Sequence, residues 1–269
     1  MAKWAASCEK FDDWDKAGPP YRIYGGTYYV GTCGISAILI VGESEHILID
    51  SGTQAGADVV LQNIEALGFS ADQIGLILHS HEHFDHVGGI AKIQKASGAD
   101  IAASAEAKTV IETGKNSPDD PQAGMLKDFP AATVGTTVVD GQKIEFGFNT
   151  LTTIATPGHT PGALSWRWTE CEGDDCKTIV YADSMSPISN DAYRFSDDPR
   201  FVAEYRTGIA RIENTACDIL LSPHPSSSQM ETRLIDGSVL VDNSACSRYA
   251  NSVLKRLTAR LVQETVNAK

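Results

Sequence analysis

The sequence predicts an α/β protein in which two β-sheets pack together and helices cover their outer faces. Stretches rich in β-branched and aromatic residues alternate with stretches whose apolar residues recur at helical spacing. We found no tandem repeat or low-complexity tract in the sequence. A chain of 269 residues fits one domain, or two fused halves, with enough length to bury a sizeable core.

The predicted strands share short apolar runs bounded by turn residues, and the helices share an apolar stripe. Strands are predicted over residues 21–24, 27–30, 36–41, 46–50, 76–78, 101–104, 136–140, 144–146, 151–155, 164–169, 177–182 and 218–222. Helices are predicted over residues 57–67, 87–97, 105–113, 199–214 and 243–266.

Three connecting features complete this prediction. Gly68 supplies a left-handed stop for the helix over 57–67. The pair Gly88-Gly89 falls at the start of the helix over 87–97, where small residues allow a close approach of the backbone. Residues 114–130 are rich in Pro, Gly, Asp and Asn and are predicted to form a long loop, and the chain before residue 21 is predicted to be irregular.

Composition limits the class of partner. The chain is 42% apolar and 21% charged, which is typical of a globular protein. Its net charge of −13 repels nucleic acid and anionic membranes, so a small-molecule partner fits better. No apolar run approaches the ~20 residues of a membrane span. Residues 1–4 lack the apolar core of a secretion signal, so we expect either a mature start or an artificially trimmed one, with the signal peptide absent from this sequence.

A dense histidine motif follows the strand over 76–78. The sequence there is His-Ser-His-Glu-His-Phe-Asp-His, at 79–86. Alternate side chains of an extended backbone share a face, so His81, His83 and Asp85 can converge, and a turn can bring His86 beside them. Burying these groups is costly unless a cation binds them, and imidazoles with one carboxylate suit zinc better than calcium or magnesium. The alternative is a histidine cluster on the surface.

Two more histidines follow strand-like runs. His159 lies in Thr-Pro-Gly-His-Thr-Pro-Gly, and His224 lies in Ser-Pro-His-Pro. Alone, each would more often be a structural histidine, but the first motif makes both candidate metal ligands. Because catalytic zinc keeps an open position for water, this many ligands predicts two metal ions rather than one.

The six cysteines form an even set. Cys171 and Cys176 flank the turn Glu-Gly-Asp-Asp between two predicted strands, which holds them near bridging distance. We therefore expect a disulfide there; the alternative is a pair of reduced thiols in a cytosolic enzyme.

The motif H-x-H-x-D-H at 81–86, with His159 and His224, resembles the metallo-β-lactamase superfamily, and within it the zinc β-lactamases of subclass B3. The similarity runs from about residue 21 to the last helix. It implies a four-layer αβ/βα sandwich with the site at the sheet edges, formed by a single domain over 21–269 that follows an N-terminal extension over 1–20. Thioesterases of the glyoxalase type and lactonases share H-x-H-x-D-H, so that motif alone indicates only the superfamily.

The resemblance also implies residue roles. Six side chains would hold two zinc ions: His81, His83 and His159 for the first, and Asp85, His86 and His224 for the second. Asp50 matches a family aspartate that supports the metal site from behind the ligands. On sequence alone, Asp50 could instead only cap the turn that follows it.

The implied activity is zinc-dependent hydrolysis of the β-lactam amide of penicillins, cephalosporins and carbapenems, which gives antibiotic resistance. A zinc-bound hydroxide would be the nucleophile, and Asp85 would both ligate zinc and orient that hydroxide. Ser184 and Ser186 resemble the serines that bind the substrate carboxylate, with a plain turn as the alternative. Gln122 could reach the substrate from the long loop.

Two other functions stay open at this point. One is a thioesterase or lactonase of the same fold, in which Asp183 would bridge the metals; in a subclass B3 enzyme, Asp183 stays outside both ligand sets. The other is a metal-binding or structural protein that has lost catalysis, which the complete ligand set disfavours.

The resemblance implies a second disulfide, between Cys217 and Cys246. Cys8 and Cys33 then remain, and their bridge would anchor the N-terminal extension. Three bridges imply an oxidising compartment, for this family the bacterial periplasm. We expect the protein to be a monomer.

Overall fold

The computed structural model describes residues 1–8, 13–235 and 240–266. Two β-sheets form its centre. The first contains seven strands in spatial order: β1 (Tyr21–Tyr24), β2 (Thr27–Tyr29), β3 (Ile38–Ile40), β4 (His46–Ile49), β5 (Ile74–Leu78), β6 (Asp100–Ala103) and β7 (Thr136–Thr137). The second contains five: β12 (Ile219–Leu221), β11 (Asp175–Tyr181), β10 (Leu164–Glu172), β9 (Asn149–Ala155) and β8 (Lys143–Phe146).

Helices lie between the strands and at both ends of the described chain. They are α1 (Ala2–Ser7), α2 (Gly56–Ala66), α3 (Phe84–Val87), α4 (Ile90–Ser97), α5 (Ala105–Thr113), α6 (Pro199–Glu213), α7 (Met230–Ile235) and α8 (Ala245–Val266). Within the described ranges, none of these helices is both long enough and apolar enough to cross a membrane.

Strand direction sets where the functional loops emerge. Strands β4, β5 and β6 run parallel to one another, so the chain leaves β4 at Asp50 and β5 at His79 on the same edge of the first sheet. Strand β12 runs parallel to β11. Strand β9 runs in the same direction as β11, because β10 lies between them and is antiparallel to each. The loops after β9, β11 and β12 therefore share one edge of the second sheet.

Buried side chains form three layers of core. Between the sheets, Ile49 and Leu78 belong to the same cluster as Trp166 and Tyr181. A second cluster fills the space between the first sheet and helices α2, α4 and α5, and a third lies between the second sheet and helices α6 and α8. This arrangement confirms the predicted four-layer αβ/βα sandwich.

The predicted helix over 87–97 is wrong in its first turn. The chain forms two helices, α3 and α4, separated by Gly88 and Gly89. A Cβ at Gly88 would lie 2.1 Å from the carbonyl oxygen of Phe84, and one at Gly89 would lie 2.5 Å from the Cβ of Ala57. Packing against α2 therefore requires glycine here, and the close approach holds the histidine loop against α2 and the chain that precedes it.

The N-terminal segment also differs from the prediction. Residues 2–7 form helix α1 rather than irregular chain, and Trp4 from this helix is fully buried beside Tyr21 and Tyr29. Aromatic packing and a disulfide hold the helix, which is too short to be stable alone.

Three disulfides are present: Cys8–Cys33, Cys171–Cys176 and Cys217–Cys246. These are the expected pairs. Cys171 lies directly opposite Cys176 on the β10–β11 hairpin, whose strands extend further toward the turn than the sequence predicts.

Candidate metal centre

Three loops meet where the two sheets come together. Leu164 N–H donates to the carbonyl oxygen of Ser80, which joins the histidine loop after β5 to strand β10. Glu82 lies between His81 and His83 in the sequence and is buried. Its carboxylate accepts hydrogen bonds from Thr160 Oγ1 at 2.7 Å and from Gly162 N at 2.8 Å. Glu82 was not singled out from the sequence; its role is to hold the loop that carries His159 against the first motif.

The first group of candidate ligands is His81, His83 and His159. One ring nitrogen from each lies within 4.8 Å of the others, and all three side chains are buried. His81 Nε2 is buried and has no hydrogen-bond partner among the described residues. An unpartnered buried nitrogen is costly, and a cation between the three rings would remove that cost.

The outer nitrogen of each ring is held in place. His81 Nδ1 lies 2.7 Å from Asp183 Oδ1, and His159 Nδ1 lies 2.9 Å from the carbonyl oxygen of Ser186. His83 Nε2 lies 2.8 Å from Asp120 Oδ2. These contacts leave Nε2 of His81, Nδ1 of His83 and Nε2 of His159 to face inward, as metal-bound histidines do.

The second group is Asp85, His86 and His224. Asp85 Oδ2 lies 3.1 Å from His86 Nε2 and 3.4 Å from His224 Nε2. The two histidine nitrogens are 3.3 Å apart. Two ring nitrogens and a carboxylate oxygen this close together need a proton or a cation between them. His81 also lies close to Asp85 and His86, so the two groups are adjacent.

The pKa values follow burial and charge. Burial, with neighbouring imidazoles, lowers the pKa of His159 to about 3 and of His224 to about 4, and it holds the pKa of His81 well below its usual range. Burial alone would lower the pKa of His86, but Asp85 and Asp50 together outweigh it and raise that pKa to about 10. Burial would raise the pKa of Asp85, but His86 and His224 hold it well below its ordinary value. His81, His159 and His224 are therefore neutral near pH 7, beside the ionised Asp85 and a protonated His86, and a divalent cation bound there would displace the proton of His86.

Asp50 lies behind the second group. Its carboxylate accepts hydrogen bonds from Ser80 N at 2.6 Å, Ser80 Oγ at 2.7 Å and Tyr181 OH at 2.6 Å, and Oδ2 lies 3.4 Å from His86 Nδ1. The residue has a φ of 63°, in the left-handed region. Asp50 thus contacts a candidate ligand and links the two sheets. It therefore does more than cap the turn that follows it, which was the alternative role.

Sequence reasoning missed Asp120 and did not identify the partner of Asp183. Burial raises the pKa of Asp183 to about 8, and its Oδ2 accepts from Met185 N at 3.1 Å while Oδ1 faces His81. Its position after β11, at the shared sheet edge, was the available signal. Asp120 had no comparable signal, because it lies within a long loop and does not directly follow a strand.

The candidate substrate residues lie beside this centre. Ser184 Oγ and Gln122 Nε2 are buried and have no hydrogen-bond partner in the described ranges. Ser186 Oγ donates to the carbonyl oxygen of Ser184 at 3.3 Å. From the N-terminal segment, the ring of Trp14 lies 6.0 Å from that of His224. The sequence did not predict this contact.

The fold and centre define a class of protein. A family model for the metallo-beta-lactamase superfamily matches residues 30–172. The chain belongs to the metallo-β-lactamase superfamily. Solved structures of subclass B3 enzymes are among those similar to the chain.

Three solved structures are similar over nearly the whole chain. MIM-2 metallo-beta-lactamase is 52% identical, with a TM-score of 0.94 over 97% of each chain. MIM-1 from Novosphingobium pentaromativorans is 45% identical, with a TM-score of 0.96 over 100% of each chain. MEM-A1, a subclass B3 enzyme from a soil metagenome library, is 37% identical, with a TM-score of 0.88 over 95% of this chain and 100% of that one.

A curated relative matches over a shorter span. Hydroxyacylglutathione hydrolase of Rhodospirillum rubrum is 29% identical over 126 residues, which cover 47% of this chain and 40% of that protein.

Proposed function

We propose that this protein hydrolyses the amide bond of β-lactam antibiotics, including penicillins, cephalosporins and carbapenems, with the help of two zinc ions. The observation that carries the proposal is the pair of adjacent groups of candidate ligands. In the first group, the buried His81 Nε2 has no hydrogen-bond partner among the described residues. In the second, the candidate ligand atoms of Asp85, His86 and His224 lie 3.1–3.4 Å from one another. The similarity to subclass B3 enzymes supports the choice of substrate.

The residues present fit two zinc ions. His81, His83 and His159 would hold the first, and Asp85, His86 and His224 would hold the second. When bound, zinc lowers the pKa of a coordinated water toward about 7 and stabilises charge on the reacting amide.

The chain's own residues orient and bind. Asp183 holds the ring of His81 at 2.7 Å, and Asp50 lies 3.4 Å from the outer nitrogen of His86, so both carboxyl groups favour an inward orientation of the ligand nitrogens. Asp85, kept ionised at neutral pH, provides an acceptor that can orient an attacking water. Ser184 Oγ and Gln122 Nε2, both without a partner among the described residues, would donate to the substrate carboxylate.

A thioesterase or lactonase activity is the second candidate, because hydroxyacylglutathione hydrolase is among the relatives. That chemistry would require Asp183 to bridge the two metals. Here the carboxylate of Asp183 lies against His81 Nδ1, the nitrogen that faces away from the other imidazoles of the first group. We therefore favour the lactamase.

A direct comparison of substrates tests the proposal. Purified protein should hydrolyse a chromogenic cephalosporin rapidly and a glutathione thioester slowly or not at all, and a chelator should abolish the first rate. A thioester rate that exceeds the cephalosporin rate at equal concentrations would contradict the proposal.

The same proposal covers the cellular compartment, the oligomeric state and the domain organisation. Three disulfides favour an oxidising compartment, for which we propose the bacterial periplasm. We propose a monomer, formed by one domain over residues 21–269, with residues 1–20 as an extension held by the Cys8–Cys33 bridge.

A further inference from the structure

The long loop over 114–130 contacts the metal centre through one carboxylate. Asp120 is 2% exposed, and its Oδ2 lies 2.8 Å from His83 Nε2. Its other oxygen, Oδ1, accepts a hydrogen bond from Gln122 N at 2.6 Å. One side chain therefore faces a candidate zinc ligand with one oxygen and a candidate substrate residue with the other.

A residue from a different loop holds the same segment. Asn190 N donates to the carbonyl oxygen of Pro121 at 2.9 Å, and Asn190 Nδ2 donates to that of Ala123 at 3.0 Å. These two bonds bracket Gln122 on both sides. Asn190 belongs to the loop after β11, which also carries Ser184.

Asn190 is itself rigidly placed. Its Oδ1 accepts from Ala192 N and Tyr193 N, both at 2.9 Å. The preceding hydroxyl, Ser189 Oγ, accepts from Arg260 on helix α8 at 2.6 Å. The loop that carries Ser184 is thus fixed to the outer helix layer, and through Asn190 it fixes the segment that carries Gln122.

We propose that Asp120 and Asn190 are positioning residues that form one brace between the substrate loops and the first zinc site. Asp120 sets the orientation of the His83 ring. Asn190 fixes the position of the segment that carries Asp120 and Gln122 relative to the loop that carries Ser184. The inference rests on the proposed function in its use of zinc and of a β-lactam. Its main test measures zinc alone, so it can fail or succeed separately.

Zinc affinity measured by competition with a chromophoric chelator tests Asp120. Asp120→Ala should weaken the tighter site by about 10- to 100-fold, the range for residues that orient metal ligands. Asp120→Asn, which preserves shape, should have a smaller effect: its amide can still accept from His83, but its NH₂ group then faces the N–H of Gln122. The cobalt-substituted variants should show an altered ligand-field spectrum, which a loss of stability alone would not produce.

Asn190→Ala tests the other end of the brace, with Asn116→Ala as the matched control. Asn116 Nδ2 donates to the carbonyl oxygen of Lys127 at 3.3 Å in the same loop and does not reach Asn190 or Asp120 in the described contacts. Asn190→Ala should weaken zinc binding by about 3- to 10-fold and raise KM for a cephalosporin by a similar factor, with kcat within about twofold. Asn116→Ala should change neither.

The double variant decides whether the two residues act together. Its zinc affinity should be higher than the product of the separate losses predicts, because Asp120→Ala already removes what Asn190 holds. Parent-like zinc affinity in Asp120→Ala, equal behaviour of Asn190→Ala and Asn116→Ala, or strictly multiplicative losses would overturn the proposal. If Asp120→Ala does not fold, Asp120→Asn replaces it in both the single and the double variant, with its smaller expected loss as the reference.

Discussion

Asp183 Oδ1 lies 2.7 Å from His81 Nδ1, and both side chains are fully buried. The opposite ring nitrogen, Nε2, is the one that faces His83 and His159 and has no hydrogen-bond partner in the described chain. The aspartate thus lies behind a candidate ligand. This placement separates a lactamase from a hydrolase in which the same aspartate bridges two metals.

Asp183→Asn tests that placement. We expect the variant to retain two zinc ions per chain, with the first bound about 10-fold more weakly because an amide replaces the carboxyl partner of His81. Elemental analysis of the purified variant measures this. Asp191→Asn, an exposed change in the same loop, should match the parent. One zinc ion where the parent holds two would identify Asp183 as a bridging ligand.

Ser184→Ala tests substrate binding. Ser184 Oγ is buried without a partner in the described ranges, so it is free to donate to a substrate carboxylate. Loss of one hydrogen bond, about 0.5–1.5 kcal/mol, should raise KM by roughly 2- to 12-fold with zinc content unchanged. Steady-state kinetics with a cephalosporin measures this. Ser97→Ala, whose hydroxyl donates to Ile93 in helix α4, is the control and should leave KM unchanged.

Much of this architecture could be predicted from the sequence, because strand and helix periods are local signals. The strand before the histidine motif and the apolar face of α8 follow directly from such patterns. Helical spacing predicts Tyr249, Val253, Leu257 and Leu261 on one face of α8; the first three are buried, and Leu261 is partly buried against the same cluster. The helix over 87–97 was wrong because local spacing does not reveal that the backbone at Gly88 and Gly89 must pass close to neighbouring atoms.

Residues that orient the ligands were harder to predict. Asp183 is 102 residues from His81, so only the sheet topology brings the two together. The contact between Asp120 and His83 depends on the path of a loop without regular structure. By contrast, the six candidate ligands have a local signal, since each follows a strand that ends at the same edge of the sandwich.

The disulfides provide a stability prediction. Alkylation under denaturing, non-reducing conditions should add no mass, because all six cysteines are paired. The sequence separation is 29 residues for Cys217–Cys246 and 5 for Cys171–Cys176. Loop-closure entropy then predicts losses of about 3.5 and about 2 kcal/mol when each bridge is replaced by two alanines. Denaturant unfolding measures both variants, and a larger loss for the Cys171–Cys176 variant would contradict this account.

Glu264 should make stability depend on pH. Burial would raise its pKa, but hydrogen bonds from Ser196 N and from Arg260 outweigh burial and hold the pKa below its ordinary value. The ionised form therefore stabilises the fold fully above the unfolded pKa of about 4.3, and this stabilisation is lost as pH falls through the lower folded value.

Replacement of this carboxylate should remove that dependence. Glu264→Gln should lower the free energy of unfolding at pH 6 by about 1–3 kcal/mol, and the difference from the parent should shrink toward pH 3. Urea unfolding between pH 6 and pH 3 measures it. Glu43→Gln, at an exposed position, should follow the parent throughout. A difference that grows as the pH falls would show that the sign is wrong.

Zinc titration of the metal-free protein tests the central claim most directly. Metal content and hydrolysis of a chromogenic cephalosporin should be followed in the same samples as zinc is added after complete removal by a chelator. Six converging ligands predict that the protein is inactive without metal, that it takes up about two zinc ions per chain, and that activity returns as they bind. Full hydrolysis by protein whose measured zinc content is near zero would contradict the account.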